Sequence, residues 1–469
     1  MTKLLAHRGT VRNSDGEKVT EHSLESYSAA IDFGADYVET DLFITKDGVV
    51  ITSHDDHNFS KLTYEEVIKK YPEVAKFSDV VDMVKERSIE TGREVGLTIE
   101  IKKGATQELT QQAASAAIAI LVEKEFTSPD KLYINSFNAD TLKYINDEIN
   151  AKYLETPGLS DVQLIKIVPV GSVLWSGFLD IFKSVEKAYA NVINTADRDI
   201  IDGYAFPSNI SRVKPLGEIL DKQGKEIHTW TAHDGVRESY YNNLLDRGAD
   251  AIYVDDTQAA RTAIEKYNGM ETVEYGKKGD DAISVKDKTT VYAMQGNDTI
   301  SIGGNNNKIY ADGGDDLIVN RGNNSYINGG SGDDFIYSVG SGNTIYGGAG
   351  NNVIHFSGDD TIIYDHNTQG NNLVVGGGAI NIEGYEANEL SFLEQQGNLV
   401  IQFNDGGDIV VQNGVDSNGQ VANKIMLEGN SLDIDSLLAT DEGTNPTELA
   451  QPTQVEVNGL SQLEVAHAY

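Results

Sequence analysis

The chain has 469 residues, with 73 acidic against 37 basic side chains, a formal net charge of −36 and no cysteine. Such a charge excludes a nucleic-acid backbone or a bare anionic membrane as a partner held by electrostatics alone. The lack of cysteine excludes disulfides and thiolate metal sites, so stability must rest on the core and on oxygen-ligated metals.

This length exceeds what one growing core supports, so at least two domains are expected, one of which could be a barrel of about 250 residues. Residues 1–9 run straight into a strand-like segment, and the expectation is therefore a chain without a cleaved N-terminal signal peptide. No apolar run approaches the ~20 residues of a transmembrane span.

Up to about Tyr267, short apolar segments alternate with longer helical ones: 3–6, then 23–33, then 37–43. That alternation predicts βα units and a parallel sheet. Two joints echo each other, Phe33-Gly34-Ala35-Asp36 and Arg247-Gly248-Ala249-Asp250, each with a glycine suited to the left-handed end of a helix. Further strands are expected at 96–102, 131–137, 152–154 or 165–168, 191–195 or 204–206, 226–230 and 251–255, giving eight in all.

Four strand-like segments in the first hundred residues end in charge. Residues 4–6 lead to His7 and Arg8, 37–38 to Glu39 and Asp41, 49–53 to His54 and Asp55, and 97–99 to Glu100 and Lys102. Because side chains alternate along a strand, Glu39 and Asp41 face one way, as do Glu100 and Lys102. Taken singly, a charged residue past a strand is ordinary solvated loop. Same-face carboxylates gathered at one barrel mouth are costly unless a cation neutralises them.

The set resembles the glycerophosphodiester phosphodiesterase family over residues 1–265. The resemblance is carried by His7-Arg8-Gly9, Glu21, Gly34-Ala35-Asp36, the Thr45-Lys46-Asp47-Gly48 turn, His54-Asp55, Glu100-Ile101-Lys102, Ser136-Phe137-Asn138, Trp230-Thr231 and Asp255. His22 departs from the family's usual Asn, and the segment after His54-Asp55 is short. The resemblance implies a (β/α)₈ TIM barrel, with Glu39, Asp41 and Glu100 binding Ca²⁺ or Mg²⁺. It further implies Arg8 and Lys102 on the phosphate, His7 and His54 as the acid/base pair, and Trp230 as a wall for the glycerol or head group. The expected reaction is hydrolysis of glycerophosphodiesters to glycerol 3-phosphate and an alcohol. The alternatives are phospholipase D-like cleavage of lysophospholipids or sphingomyelin, and an inactive calcium-dependent surface protein.

From about Tyr275 helical periodicity disappears, and isoleucine recurs at 300, 309, 318, 327, 336, 345 and 354, an unbroken period of nine. Around each isoleucine stands a Gly-rich turn and a three-residue strand, best seen in Gly329-Gly330-Ser331-Gly332-Asp333-Asp334-Phe335-Ile336-Tyr337. The pattern is that of calcium-binding nonapeptide repeats, whose strands alternate between two sheets so that turns on one side recur every eighteen residues. The ligand position then carries Asp298, Asp316 and Asp334, followed by Asn352, whereas the other side carries Asn307, Ser325 and Asn343. Several Ca²⁺ ions are expected along the aspartate side, because calcium takes six to eight oxygens with carboxylates among them.

Residues 275–435 resemble the repeats-in-toxin (RTX, hemolysin-type) family, which implies a β-roll and export, without a cleaved leader, by type I secretion machinery. The expected organisation is a barrel over 1–267, a parallel β-roll over 275–382, and a β-rich cap with a secretion-signal tail over 383–469. The expected substrate is a small-molecule or lipid-derived phosphodiester, and the expected location is extracellular.

Overall fold

A computed structural model describes residues 2–167, 201–207, 224–357, 359–366, 368, 370–434, 437 and 439–440. These residues fall into two compact units that divide at 267/268, with residues 88–93 belonging to the second.

In the first unit, eight parallel strands close into a barrel: β1 (Lys3–Ala6), β2 (Tyr37–Ile44), β4 (Gly96–Ile101), β5 (Leu132–Ser136), β6 (Gln163–Ile167), β7 (Gly203–Pro207), β8 (Glu226–Ala232) and β9 (Ala251–Val254). β1 pairs with both β2 and β9, so no barrel edge is left open. Strand alternation sets the two layers of core. Leu5, Tyr37, Tyr133, Ile165 and Tyr253 form one buried cluster, while Ala6, Val38, Leu97 and Leu132 belong to another that includes helix residues such as Tyr27 and Val81.

One strand-like segment finds its place outside the barrel, and the open strand alternatives are narrowed. The segment at 49–53, which is not among the eight expected barrel strands, forms β3 (Val50–Thr52), and it runs antiparallel to β2 because the turn at Thr45 to Gly48, with Gly48 at φ +83°, folds the chain back. The alternative at 152–154 is excluded because Lys152 closes the helix Ala139–Lys152, which buries Leu142, Ile145 and Ile149 at helical spacing behind an Asn138 cap. β6 and β7 occupy the other two candidates, and the alternative at 191–195 lies outside the described residues.

In the second unit successive strands alternate between two parallel sheets. Ile300, Ile318 and Ile336 stand in register in one sheet, and Ile309, Ile327 and Ile345 in the other. All are fully buried in one shared core. The nine-residue period is thus one strand plus one turn, and eighteen residues make a full circuit. The sheets continue beyond residue 382 through Asp408–Gln412 and Lys424–Leu427, while Leu390–Gln395 and Asn398–Phe403 add antiparallel strands. Most of the residues after 434 lie outside the description.

Candidate functional site

The barrel mouth is built from inward-facing positions of β2 and β4. Glu39 and Asp41 lie two apart on β2, Glu100 pairs in register with Asp41, and one carboxylate oxygen from each of the three lies within 4.8 Å of the others. All three residues are buried. Burial, and then repulsion from Asp41, pushes Glu100 up to about 8 and Glu39 well above the usual carboxylate range. Asp41 goes the other way. Burial alone would raise it, but the hydrogen bond and charge of His22, followed by Lys102 and Arg8, hold it low.

Two cations face these acids. Lys102 Nζ lies 3.4 Å from Asp41 and 3.3 Å from Glu100, while Arg8 Nη1 pairs with Glu21 at 3.0 Å and Arg8 Nε stands 4.0 Å from Asp41. The Arg8 backbone N–H donates to Glu39 at 2.9 Å. Gly9, at φ +91°, makes this turn possible, since a Cβ there would lie 1.8 Å from Ser26 Oγ, which itself donates to the Arg8 carbonyl.

His7 and His54 line the same cavity of about 180 Å³. Each ring is held through Nδ1 by a carboxylate: His7 by Asp255 at 2.7 Å and His54 by Asp55 at 3.0 Å. His54 reaches the cavity through the β2–β3 hairpin, whose return strand brings the Ser53 N–H to the Asp41 carbonyl at 3.0 Å. Trp230 is half-buried, donates Nε1–H to the Ala205 carbonyl at 3.2 Å and meets Phe137 edge to face at 5.8 Å. It therefore both packs against the lumen and forms a wall of the cavity.

The structure brings together in one cavity the barrel residues that were assigned a role from the sequence: His7, Arg8, Glu39, Asp41, His54, Glu100, Lys102 and Trp230. It adds several that sequence reasoning left without a role. His22 is buried; its Nε2–H donates to the Asp41 carboxylate at 3.1 Å, and its Nδ1 is hydrogen-bonded to the Tyr27 hydroxyl at 2.8 Å. Asn135, Thr98 and Tyr253 are hydrogen-bonded to one another, and Asn135 and Tyr253 also line the cavity. Asp255 serves a second imidazole, His233 Nδ1, at 3.0 Å. Burial would raise Asp255, but its hydrogen bonds and charge interactions with His7 and His233 outweigh that and hold it below its ordinary value.

A second set of acids lies in the two-sheet unit. Asp298, Asp316 and Asp334 are each 1 % exposed. One oxygen of each accepts the backbone N–H of the residue one circuit earlier, at 2.7–2.9 Å, and Asn352 continues the ladder. The other oxygen, Oδ2, has no hydrogen-bond partner among the described residues. Burial pushes Asp298 up to about 7, Asp316 to about 10 and Asp334 well above the ordinary range. On the opposite side, Asn307, Ser325, Asn343 and Asp360 form a comparable ladder to backbone N–H groups.

A comparison with known proteins bears on the first unit. A glycerophosphodiester phosphodiesterase of Caldanaerobacter subterraneus is 21% identical over 285 residues, covering 56% of this chain and 98% of the relative. Among solved structures, a putative glycerophosphoryl diester phosphodiesterase from Silicibacter pomeroyi covers 57% of this chain and 94% of its own, with 14% identity and a TM-score of 0.43. A phosphodiesterase from Oleispira antarctica, solved with the product sn-glycerol-3-phosphate, covers 56% and 97%, with 18% identity and a TM-score of 0.41. The family model described as "Glycerophosphoryl diester phosphodiesterase family" matches residues 7–259, more than half of the sequence, and the chain therefore belongs to that family of enzymes.

Proposed function

We propose that the barrel unit hydrolyses glycerophosphodiesters to glycerol 3-phosphate and an alcohol, with a divalent cation, Ca²⁺ or Mg²⁺, held by Glu39, Asp41 and Glu100. The donor set fits such an ion: three buried carboxylates with oxygens within 4.8 Å, all hard donors, two of them raised by a desolvation cost that a cation relieves. When bound, the ion supplies Lewis-acid polarisation of a phosphoryl oxygen.

The chain's own residues do the rest. Arg8 and Lys102 balance the remaining phosphate charge. One of His7 and His54 takes the proton of the attacking hydroxyl through Nε2, and the other gives a proton to the departing alkoxide. The observation that carries this reading is the pair of imidazoles, each anchored through Nδ1 by its own carboxylate, in one cavity with the three acids. Anchoring at Nδ1 fixes the tautomer and leaves Nε2 for proton transfer. Trp230 bounds the space for the organic part of the substrate.

In the second unit the reading is a calcium-binding β-roll of the repeats-in-toxin type, with Asp298, Asp316 and Asp334 as ligands. The buried, unbonded Oδ2 atoms support it, since a buried carboxylate oxygen is costly to leave unmatched and hard cations satisfy it. Export by type I machinery and an extracellular site of action belong to the same reading.

The test is hydrolysis by the purified protein of water-soluble glycerophosphodiesters and of lysophosphatidylcholine, before and after exhaustive chelation. Activity on the water-soluble diesters that disappears with chelator and returns with Ca²⁺ or Mg²⁺ is expected. Full activity in chelator removes the metal, and exclusive cleavage of lysophosphatidylcholine replaces the reaction.

A further inference from the structure

His7, Arg8 and His233 line two cavities, not one. The first, of about 180 Å³, holds the three acids, Lys102 and the aromatic wall of Phe137, Trp230 and Tyr253. The second, of about 670 Å³, lies between the loop from Thr10 to Glu21 and the strand ends that carry His233 and Asp255. The proposed reaction has no use for it so far. A phosphodiester has two organic substituents, and here glycerol is the small constant one while the alcohol varies in size. The small cavity suits the constant half and the large one the variable half.

The lining decides the chemistry of that half. Among the described residues, no aromatic ring other than the imidazoles of His7 and His233 lines the larger cavity. A quaternary ammonium group is normally recognised by aromatic faces. The cavity's two carboxylates are already engaged: Glu21 pairs with Arg8 at 3.0 Å, and Asp255 holds His7 and His233. Lys18 adds a positive charge. Among the described residues, a cationic alcohol meets no aromatic cage, and both carboxylates of the lining are already paired with cationic or imidazole groups.

Hydroxyl-bearing ligands meet several partners. Thr20, exposed on the loop, offers a hydroxyl, and Lys18 offers an ammonium. His233, with Nδ1 engaged by Asp255, keeps Nε2 for the cavity it lines, and its side chain is 77% exposed. A hydroxyl both donates and accepts, so it can pair with that nitrogen whichever way the ring proton lies.

We infer that this second cavity is the subsite for the alcohol half of the substrate, that it takes a neutral polyhydroxyl alcohol, and that His233 is its specificity-determining residue. The inference rests on the reading of the barrel as a glycerophosphodiesterase and goes beyond it to the substrate class. Sites built to hydrogen-bond hydroxyls discriminate strongly against analogues that lack them, because their polar groups are left unpaired.

The experiment compares kcat/KM for glycerophosphoinositol and glycerophosphocholine in the wild-type protein with metal present, in His233→Ala, and in Thr20→Val on the exposed loop. The wild-type protein should prefer the inositol ester by about tenfold or more, the effect of roughly one lost hydrogen bond. Each variant should shrink that ratio, chiefly through a higher KM for the inositol ester. A wild-type preference for the choline ester, or an equal loss on both esters in both variants, would overturn the subsite while leaving the hydrolase reading intact. Failure of the wild-type protein to cleave either ester would overturn the hydrolase reading and the subsite with it.

Discussion

At the residue scale, the acid/base assignment depends on rings whose Nδ1 atoms are held, His7 by Asp255 and His54 by Asp55. His7→Ala and His54→Ala are each expected to lower kcat by about 10²–10⁴-fold, the usual effect of losing a general acid or base. Circular dichroism should show the fold retained, and near-normal turnover in either variant would remove that residue from the chemistry. His22 acts one step further out, since its ring touches Asp41 and does not line the cavity. His22→Ala should weaken metal affinity by about 10–100-fold, as losses behind a metal ligand commonly do, read as a higher metal concentration for half-maximal activity. The raised carboxyls add a pH dependence. Glu100, at about 8, favours its protonated form in the folded protein. Its contribution to metal-free stability is whole below the unfolded value of about 4.3 and is lost as pH rises through about 8. A metal ion competes with that proton, so affinity measured by calorimetry should strengthen from pH 6 to pH 8, and Glu100→Gln should flatten the trend.

At the element scale, the acids were legible because strand alternation alone puts Glu39 with Asp41 and Glu100 with Lys102, and the register Asp41 to Glu100 then joins the pairs. His54 was legible as the charged end of a strand-like segment, but that this segment returns antiparallel along β2 was not, because the reversal depends on the turn at Thr45 to Gly48. His22, Asp255 and His233 could not be given roles, because their meaning lies in contacts between distant segments: His22 with Asp41, and Asp255 with His7 across 248 positions. Periodicity is blind to such pairs. His22 did announce itself by departing from the family's Asn. The repeat unit was more legible, because each strand meets its neighbour one circuit away and every isoleucine repeats one environment. Its glycines are equally constrained: Gly332 stands at φ +126°, where a Cβ would lie 2.2 Å from the Gly314 carbonyl oxygen. Gly332→Ala should therefore destabilise the repeat unit by more than the ~1 kcal/mol of an ordinary glycine replacement. Thermal unfolding followed at a calcium-saturating concentration measures it, and an unchanged midpoint would refute the close approach.

At the scale of the whole molecule, the fold gathers part of the charge of −36 into one column of the repeat unit. Between residues 279 and 366 stand twelve Asp against four Lys or Arg, about −8 before any metal binds. The circuit of eighteen residues stacks Asp298, Asp316 and Asp334 in one buried column. Ordering Gly-rich turns costs on the order of 1–2 kcal/mol per residue, and repulsion along the column adds to that against one core of aliphatic side chains. Burial raises Asp298 to about 7 and Asp316 to about 10. Carboxyls raised on folding lend stability that is whole below about pH 4 and is lost as pH rises through those values, so at neutral pH and above a calcium-free column opposes folding. Calcium at about 10⁻⁴–10⁻³ M, the range of extracellular modules, would remove the penalty and make binding part of the folding free energy. Far-ultraviolet circular dichroism of the chelated protein at pH 8 should therefore gain strand signal cooperatively as calcium is added. Asp316→Ala combined with Asp334→Ala should move the midpoint to higher calcium. In chelator, lowering the pH from 8 to 6 should raise the thermal midpoint of this unit, because protons then do part of the work of the metal. A unit fully folded in chelator at pH 8, and indifferent to both substitutions, would mean that the aspartate ladder is held by its backbone hydrogen bonds alone.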